Sequence, residues 1–111
     1  MKIVSSQLLS WIEAWENRNV HLYLSFYSKN FKDPKRSRQR WEAYRRQSLE
    51  VSSHISVQIS NIKINKIKNT INVTFIQKYK SNRISDIGEK ELIWKKEGNN
   101  WRVIKESWDP I

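Results

Sequence analysis

No cysteine occurs anywhere in the 111 residues. That removes disulfides, thiolate metal sites and cysteine nucleophiles from consideration. Glycine and proline are nearly as scarce, with two of each, so regular structure joined by short turns is expected. Long apolar runs are missing: nothing approaches the roughly 20 residues that cross a bilayer as a helix, and no signal-type apolar segment follows Met1. If the native protein is exported, its signal lies upstream and Met1 is not its natural start. The protein would then work in the periplasm or cell envelope, and otherwise in the cytoplasm. The sequence also has no metal-ligand cluster, glycine-rich phosphate loop or nucleophile elbow, so no cofactor is expected.

What is present is aromatic and basic. Six tryptophans and a net charge of +10 stand out in so short a chain. From Lys29 to Arg46 eight basic residues face only Asp33 and Glu42. Such a field favours polyanions or acidic surfaces, and equally describes a solvated helix face.

The length suits one domain, residues 1–111, with a core of its own. Val4, Leu8, Trp11, Ile12 and Trp15 recur at helical spacing, opposite Gln7, Ser10, Glu13 and Asn17. Asn19 can cap a second short helix, whose stripe is Val20, Tyr23, Leu24 and Tyr27, followed by Phe31. Asp33-Pro34 marks a turn, and Ser37 can cap a third helix, about Arg38 to Glu50. Its expected inner face is Trp41, Tyr44, Arg45, Ser48 and Leu49. From His54 the period changes to two. Ile55, Val57 and Ile59 share one parity, and Ile62 and Ile64 the other, so a bulge near Ser60-Asn61 is expected. After a turn at Lys66–Asn69, Ile71, Val73, Phe75, Gln77 and Tyr79 share one face of a second strand. Ser81–Gly88 reads as a polar connection and Lys90–Lys96 as a third strand. Glu97-Gly98-Asn99-Asn100 is a hairpin signal, and Trp101–Trp108 a fourth strand ended by Asp109-Pro110. Three helices followed by four strands imply an α+β fold: an antiparallel meander, curved, with one face under the helices. The result is a cone with an open end.

These residues resemble a known domain type. Trp15, Tyr23-Leu-Ser-Phe-Tyr-Ser28, Phe31, Trp41, Arg45, Phe75-Ile-Gln-Lys-Tyr-Lys-Ser81 and the closing stretch Leu92 to Glu106 resemble the nuclear transport factor 2-like domain. The similarity is to the form found at the C-terminus of certain bacterial L,D-transpeptidase-family cell-wall proteins. It covers roughly residues 5 to 107. It implies the same cone, and a non-catalytic accessory module in peptidoglycan remodelling, because the transpeptidase nucleophile is a cysteine and this chain has none. The implied ligand is a cell-wall glycan or stem peptide. Isomerases and cyclases of the same superfamily leave a second role open, that of a small stand-alone enzyme.

Seven residues are candidates for the pocket. Gln77 and Tyr79 continue the buried parity of β-residues Ile71, Val73 and Phe75 but carry polar tips, as expected where a buried stripe runs into a wet cavity. Tyr27, Trp41 and Tyr44 would supply rings at the mouth or lining, and Arg45 a bidentate site for a carboxylate. Glu106 is the main candidate base, with Asp86 second, and an ion pair to Lys90 or Lys95 is the competing role for Glu106. His21 and His54 have no acidic partner nearby in sequence and read as surface residues. The outer sheet face, with Ile76 and one parity of Leu92, Ile93 and Trp94, is expected to serve a homodimer or a catalytic domain. Basic residues interleaved with Trp41 and Tyr44 offer a weaker nucleic-acid reading, since no recognised motif accompanies them.

Overall fold

A computed structural model describes residues 2–111 of the chain; Met1, and with it the question of the natural start, lies outside the described residues. Three helices come first: α1 (Lys2–Glu16), α2 (Val20–Ser25) and α3 (Arg38–Val51). Four strands follow: β1 (Ser56–Ile67), β2 (Thr70–Lys80), β3 (Ser85–Glu97) and β4 (Asn100–Pro110). The strands pair in chain order as an antiparallel meander. This is the expected α+β cone.

The local causes are those that the side chains suggest. Asn19 accepts from the Leu22 amide at the start of α2, and Ser37 from the Arg40 amide at the start of α3, so both cap orphan N–H donors. The α1 stripe Val4, Leu8, Trp11, Ile12 and Trp15 is buried throughout. Against it lie Ile71, Val73 and Phe75 of β2, Leu92 and Trp94 of β3, and Val103 of β4, all buried. Each such side chain removed from water contributes about 1.5–3 kcal/mol. The α1–α2 hairpin therefore holds the sheet by its aromatic wedge: Trp11 meets Trp15, Tyr23 and Phe75 at centroid separations of 5.2 to 6.3 Å.

Two bulges bend the sheet. The register of β1 on β2 shifts between Ser60 and Lys63, with Asn61 at φ 53°; β4 shifts against Ile93/Trp94 of β3, leaving Ile104 as the extra residue. An inserted residue sharpens local twist and curls the strand, which opens the inner face into a cone. Beyond Phe26, Tyr27 bridges to Val103, with Ser28 N–H donating to Val103 O (2.8 Å) and Val103 N–H to Phe26 O (2.8 Å), so the helical hairpin is stitched to the edge of β4.

Two strand boundaries differ from expectation. Strand β3 begins at Ser85, so the polar connection shrinks to Ser81–Ile84. There Ser81 closes a tight turn, its amide donating to Ile84 O and its hydroxyl accepting from the Arg83 and Ile84 amides. Ser85-Asp86-Ile87 pairs with Lys78–Lys80 despite its polar content, because hairpin pairing continues wherever the partner strand runs on. Strand β4 likewise continues through Asp109 to Pro110, which stands opposite Gly88 at the sheet edge, a position where proline's missing N–H is tolerated.

Candidate functional site

The inner face of the sheet changes character at one level on three strands. On β2, Ile71, Val73 and Phe75 give way to Gln77 and Tyr79. On β3, Trp94 and Leu92 give way to Lys90. On β4, Val103 gives way to Glu106 and Trp108. The register places these side by side: Phe75 opposite Lys90, Lys90 opposite Trp108, Leu92 opposite Glu106. Above this level α3 stands away from the sheet and leaves a cavity of about 720 Å³. Gln77, Tyr79, Lys90 and Trp108 line it from the sheet, Trp15 from α1, and Tyr44, Arg45, Ser48 and Val51 from α3. Ser81, Arg83, Ile84 and Asp86 form one lip.

A chain of polar contacts runs across the base. Lys90 Nζ lies 2.6 Å from Glu106 Oε2, with both side chains nearly buried. Glu106 Oε1 accepts from the Tyr27 hydroxyl at 2.9 Å. Tyr27 Oη accepts from Trp11 Nε1 (3.1 Å) and shares a hydrogen bond with Tyr23 Oη (3.2 Å). Tyr23 Oη in turn accepts from Arg45 Nε at 3.1 Å and from Arg45 Nη2. Both cations also sit over aromatic rings: Arg45 over Trp15 and Tyr23, Lys90 Nζ over Trp15 at 5.5 Å, geometry within reach of a cation–π contact. Trp15 is backed by Tyr79, stacked at 5.1 Å and 22°.

The electrostatics follow from this chain. Burial opposes the Glu106 charge, but Lys90, Arg45 and the Tyr27 hydrogen bond outweigh it and hold the carboxyl below its ordinary value. Burial pulls Lys90 down, with Glu106 resisting and Arg45 adding to the fall. Burial would lower Arg45 too, yet Tyr23, Glu106 and Tyr27 raise it further, so it remains a cation. Burial raises Tyr23, and it raises Tyr27 well above the phenol range with Glu106 adding to the effect. Burial also raises Asp86 at the lip, against the pull of Lys90. Arg45 makes no ion pair among the described residues. Lys90 is paired with Glu106, so the two cations Arg45 and Lys90 leave the cavity wall with surplus positive charge.

Among the described residues three buried polar side-chain atoms are left without a partner: Trp94 Nε1 in the core, and Trp108 Nε1 and Gln77 Oε1 on residues that line the cavity. Gln77 lines the cavity, is 3% exposed, and its Oε1 is buried with no hydrogen bond. A buried acceptor in that state costs about 1–3 kcal/mol.

Of the seven residues singled out from sequence, the structure brings Tyr44, Arg45, Gln77 and Tyr79 to the cavity wall. Glu106 stands one step behind, against Lys90. Tyr27 and Trp41 do not line it. Tyr27 is held by its hydrogen bonds in the core, and Trp41 packs on Phe31 and Tyr27 at centroid distances of 4.5 and 4.6 Å. Tyr44 is not an inner-face residue of α3: it is 48% exposed, with the Arg36 guanidinium 4.2 Å from its ring centroid. The expected face overreached because α3 is buried only along Trp41 and Leu49. His21 and His54 are exposed. Sequence reasoning missed Lys90, Trp15 and Trp108 as cavity residues. Lys90 carried a signal in retrospect, a lysine on the inward parity of Leu92 and Trp94. The outer sheet face is mostly polar: Gln58, Ser60, Lys63, Thr74, Lys78, Glu89 and Glu91 surround Ile76 and Ile93, an arrangement that follows from the register. Among the described residues there is no group of three or more His, Asp or Glu placed to hold a metal ion, and no helix is long and apolar enough to cross a membrane.

A model of the Cds6 C-terminal NTF2-like domain matches residues 3–107. The chain belongs to that family. Among solved structures, this NTF2-like domain superposes on Bd1075 of Bdellovibrio bacteriovorus with a TM-score of 0.90 at 29% identity, over 97% of this chain and 39% of that one. The helical cell shape determining protein Pgp2 (K307A mutant) of Campylobacter jejuni aligns with a TM-score of 0.80 at 21% identity, over 90% of this chain and 37% of that one. A proposed dehydratase of the NTF2-like family from Streptomyces avermitilis shares the fold at 11% identity, TM-score 0.87, over 99% of this chain and 94% of that one. No curated protein matches the chain. The domain thus spans about two fifths of the length of Bd1075 and of Pgp2.

Proposed function

We propose that this NTF2-like domain is a non-catalytic accessory module of bacterial peptidoglycan remodelling, and that its cavity takes an anionic cell-wall fragment, glycan or stem peptide. The cavity's cations carry this reading: Arg45 without an ion pair among the described residues and Lys90 paired with one carboxylate give a walled recess with surplus positive charge. In a site of low dielectric, such cations favour a bound anion far more than surface lysines would. The likeness to a cell shape determining protein supplies the biological setting. Work in the periplasm or envelope belongs to the same proposal, as does docking to a catalytic domain through the outer sheet face.

The competing reading is a small enzyme of the dehydratase or isomerase kind, favoured by the fold shared with a proposed dehydratase. A general base works best with a pKa near the operating pH. Glu106 is instead held low and already bonded at both oxygens, to Lys90 and Tyr27. That arrangement suits a fixed counter-ion better than a proton acceptor.

Titrating ¹⁵N-labelled domain with soluble peptidoglycan fragments tests the proposal. Shifts are expected at Arg45, Gln77, Tyr79 and Lys90, with at least tenfold weaker binding in Arg45→Met. Shifts confined to the outer sheet face, or none at millimolar fragment, would defeat it.

A further inference from the structure

The cavity's chemistry says more about the ligand than its sign. A pyranose ring is commonly held by its apolar face against an aromatic platform, and each ring of this recess already has a neighbour on one side. Trp15 has Tyr79 stacked on it, with Arg45 and Lys90 over its ring. Tyr79 uses a face on Trp15. Tyr44 has Arg36 over its ring. The Trp108 indole abuts Gly88, where even a methyl group would lie 2.5 Å from it. What remains is polar: the two cations, the orphaned carbonyl oxygen of Gln77 and the orphaned indole N–H of Trp108.

The positions of these groups relate them to one another. Gln77 and Lys90 are diagonal neighbours on the inner face, because Gln77 stands opposite Gly88 and Lys90 opposite Phe75. Arg45, on α3, lies near the same Trp15 ring as Lys90, at 5.3 and 5.5 Å from its centroid. A ligand seated here meets two cations and, beside one of them, an acceptor that needs an N–H. An amide N–H and a carboxylate on one carbon atom supply both kinds of group; together they are the C-terminal residue of a peptide. Resting on the reading of the cavity given above, we infer that its ligand is the free C-terminus of a short peptide, with the carboxylate between Arg45 and Lys90 and the last amide N–H donated to Gln77 Oε1.

The inference is tested by calorimetry and ¹⁵N titration with four probes: N-acetyl-alanyl-alanine as the free acid in both configurations, its C-terminal amide, its depsipeptide in which oxygen replaces the last N–H, and an N-acetylglucosamine tetrasaccharide. The free acid of at least one configuration is expected to bind, the C-terminal amide at least tenfold more weakly. The depsipeptide should lose about tenfold on the native domain, since it leaves Gln77 unpaired and adds an opposed oxygen; on Gln77→Leu the peptide and depsipeptide should converge. The native-domain comparison needs no variant and so does not depend on one folding. Equal affinity for free acid and C-terminal amide, or for peptide and depsipeptide, would overturn the inference. Binding of the tetrasaccharide without the peptides would overturn it while leaving the cavity's role as a cell-wall site standing. If no probe and no peptidoglycan fragment bound, both would fall together.

Discussion

The two ends of the interior are built on the same three strands and the same inner face of the sheet, yet they obey different physics. At the closed end Ile71, Val73, Leu92, Trp94 and Val103 are fully buried under Val4, Leu8 and Trp11. At the open end Gln77, Tyr79, Lys90 and Glu106 occupy the equivalent positions two to four residues along, and α3 holds back from them. The closed end is held by contact and dehydration, so its energetics scale with volume. The open end is held by a balance of charges whose loss from either side is costly. The comparison shows how a cone can make a site without a special loop: inward positions stay inward while their chemistry changes beyond the level where the roof lifts.

That contrast can be broken in measurable ways. The largest effect is expected from Glu106→Ala, which leaves Lys90 buried without its counter-ion beside Arg45; urea unfolding should show a loss of about 3–5 kcal/mol, and a loss under about 1 kcal/mol would mean that the pair is solvated. Next comes Leu92→Ala at the closed end, expected to cost about 2–5 kcal/mol through lost contacts and the cavity left behind, with the ligand titration unchanged in shape. Should Leu92→Ala prove milder than substitutions at the open end of similar volume, the closed end would not be close-packed.

Acid should act on the open end through Glu106. Its folded pKa lies below the unfolded carboxyl value of 4.5, so its contribution is present above that value and lost as pH falls through the folded pKa. In Glu106→Gln the acid limb of a stability-versus-pH curve should be shallower below the ordinary carboxyl value of 4.5. Identical limbs would assign the acid sensitivity to other groups. Ser37→Ala removes the cap of α3, the helix that forms the cavity's roof, and should cost about 1 kcal/mol by thermal unfolding; no loss would mean that α3 is held by packing alone. Smallest, and opposite in direction, is Gln77→Leu. Removing an unpaired buried amide should leave stability within about 1 kcal/mol of the parent, on the stabilising side. A clear destabilisation would show that Gln77 already has a partner and that the two ends differ less than their chemistry suggests.

Much of this architecture is legible without coordinates. The α1 stripe, the caps Asn19 and Ser37, the bulge near Ser60-Asn61 and the Gly98 turn at φ 63° are local or periodic signals, and the sequence carries them directly. The start of β3 is less so, because Ser85–Glu89 has no strong alternation and is extended by its partner β2. The candidate cavity divides in the same way. Gln77, Tyr79 and Arg45 could be found by parity and by a lone arginine among aromatics. Tyr27 and Trp41 belong to the core and not to the lining, and Tyr44 reaches the cavity from an exposed position, since helical spacing says that a residue faces inward but not how far the neighbouring element stands off.

By itself, then, the order of residues determined the helix–helix–helix–meander plan, the inward set of β2, and the absence of thiol chemistry. Those properties depend on spacing, propensity and composition, which are one-dimensional. Only tertiary structure decided that Lys90 meets Glu106 across β3 and β4, that Tyr27 and Tyr23 carry that pair to Arg45 far back in the chain, and that Gln77 is left with an empty acceptor. Such contacts depend on bulge positions, on register and on the distance at which α3 stands from the sheet. None of these is written in any single segment, because each is fixed by elements packing against one another.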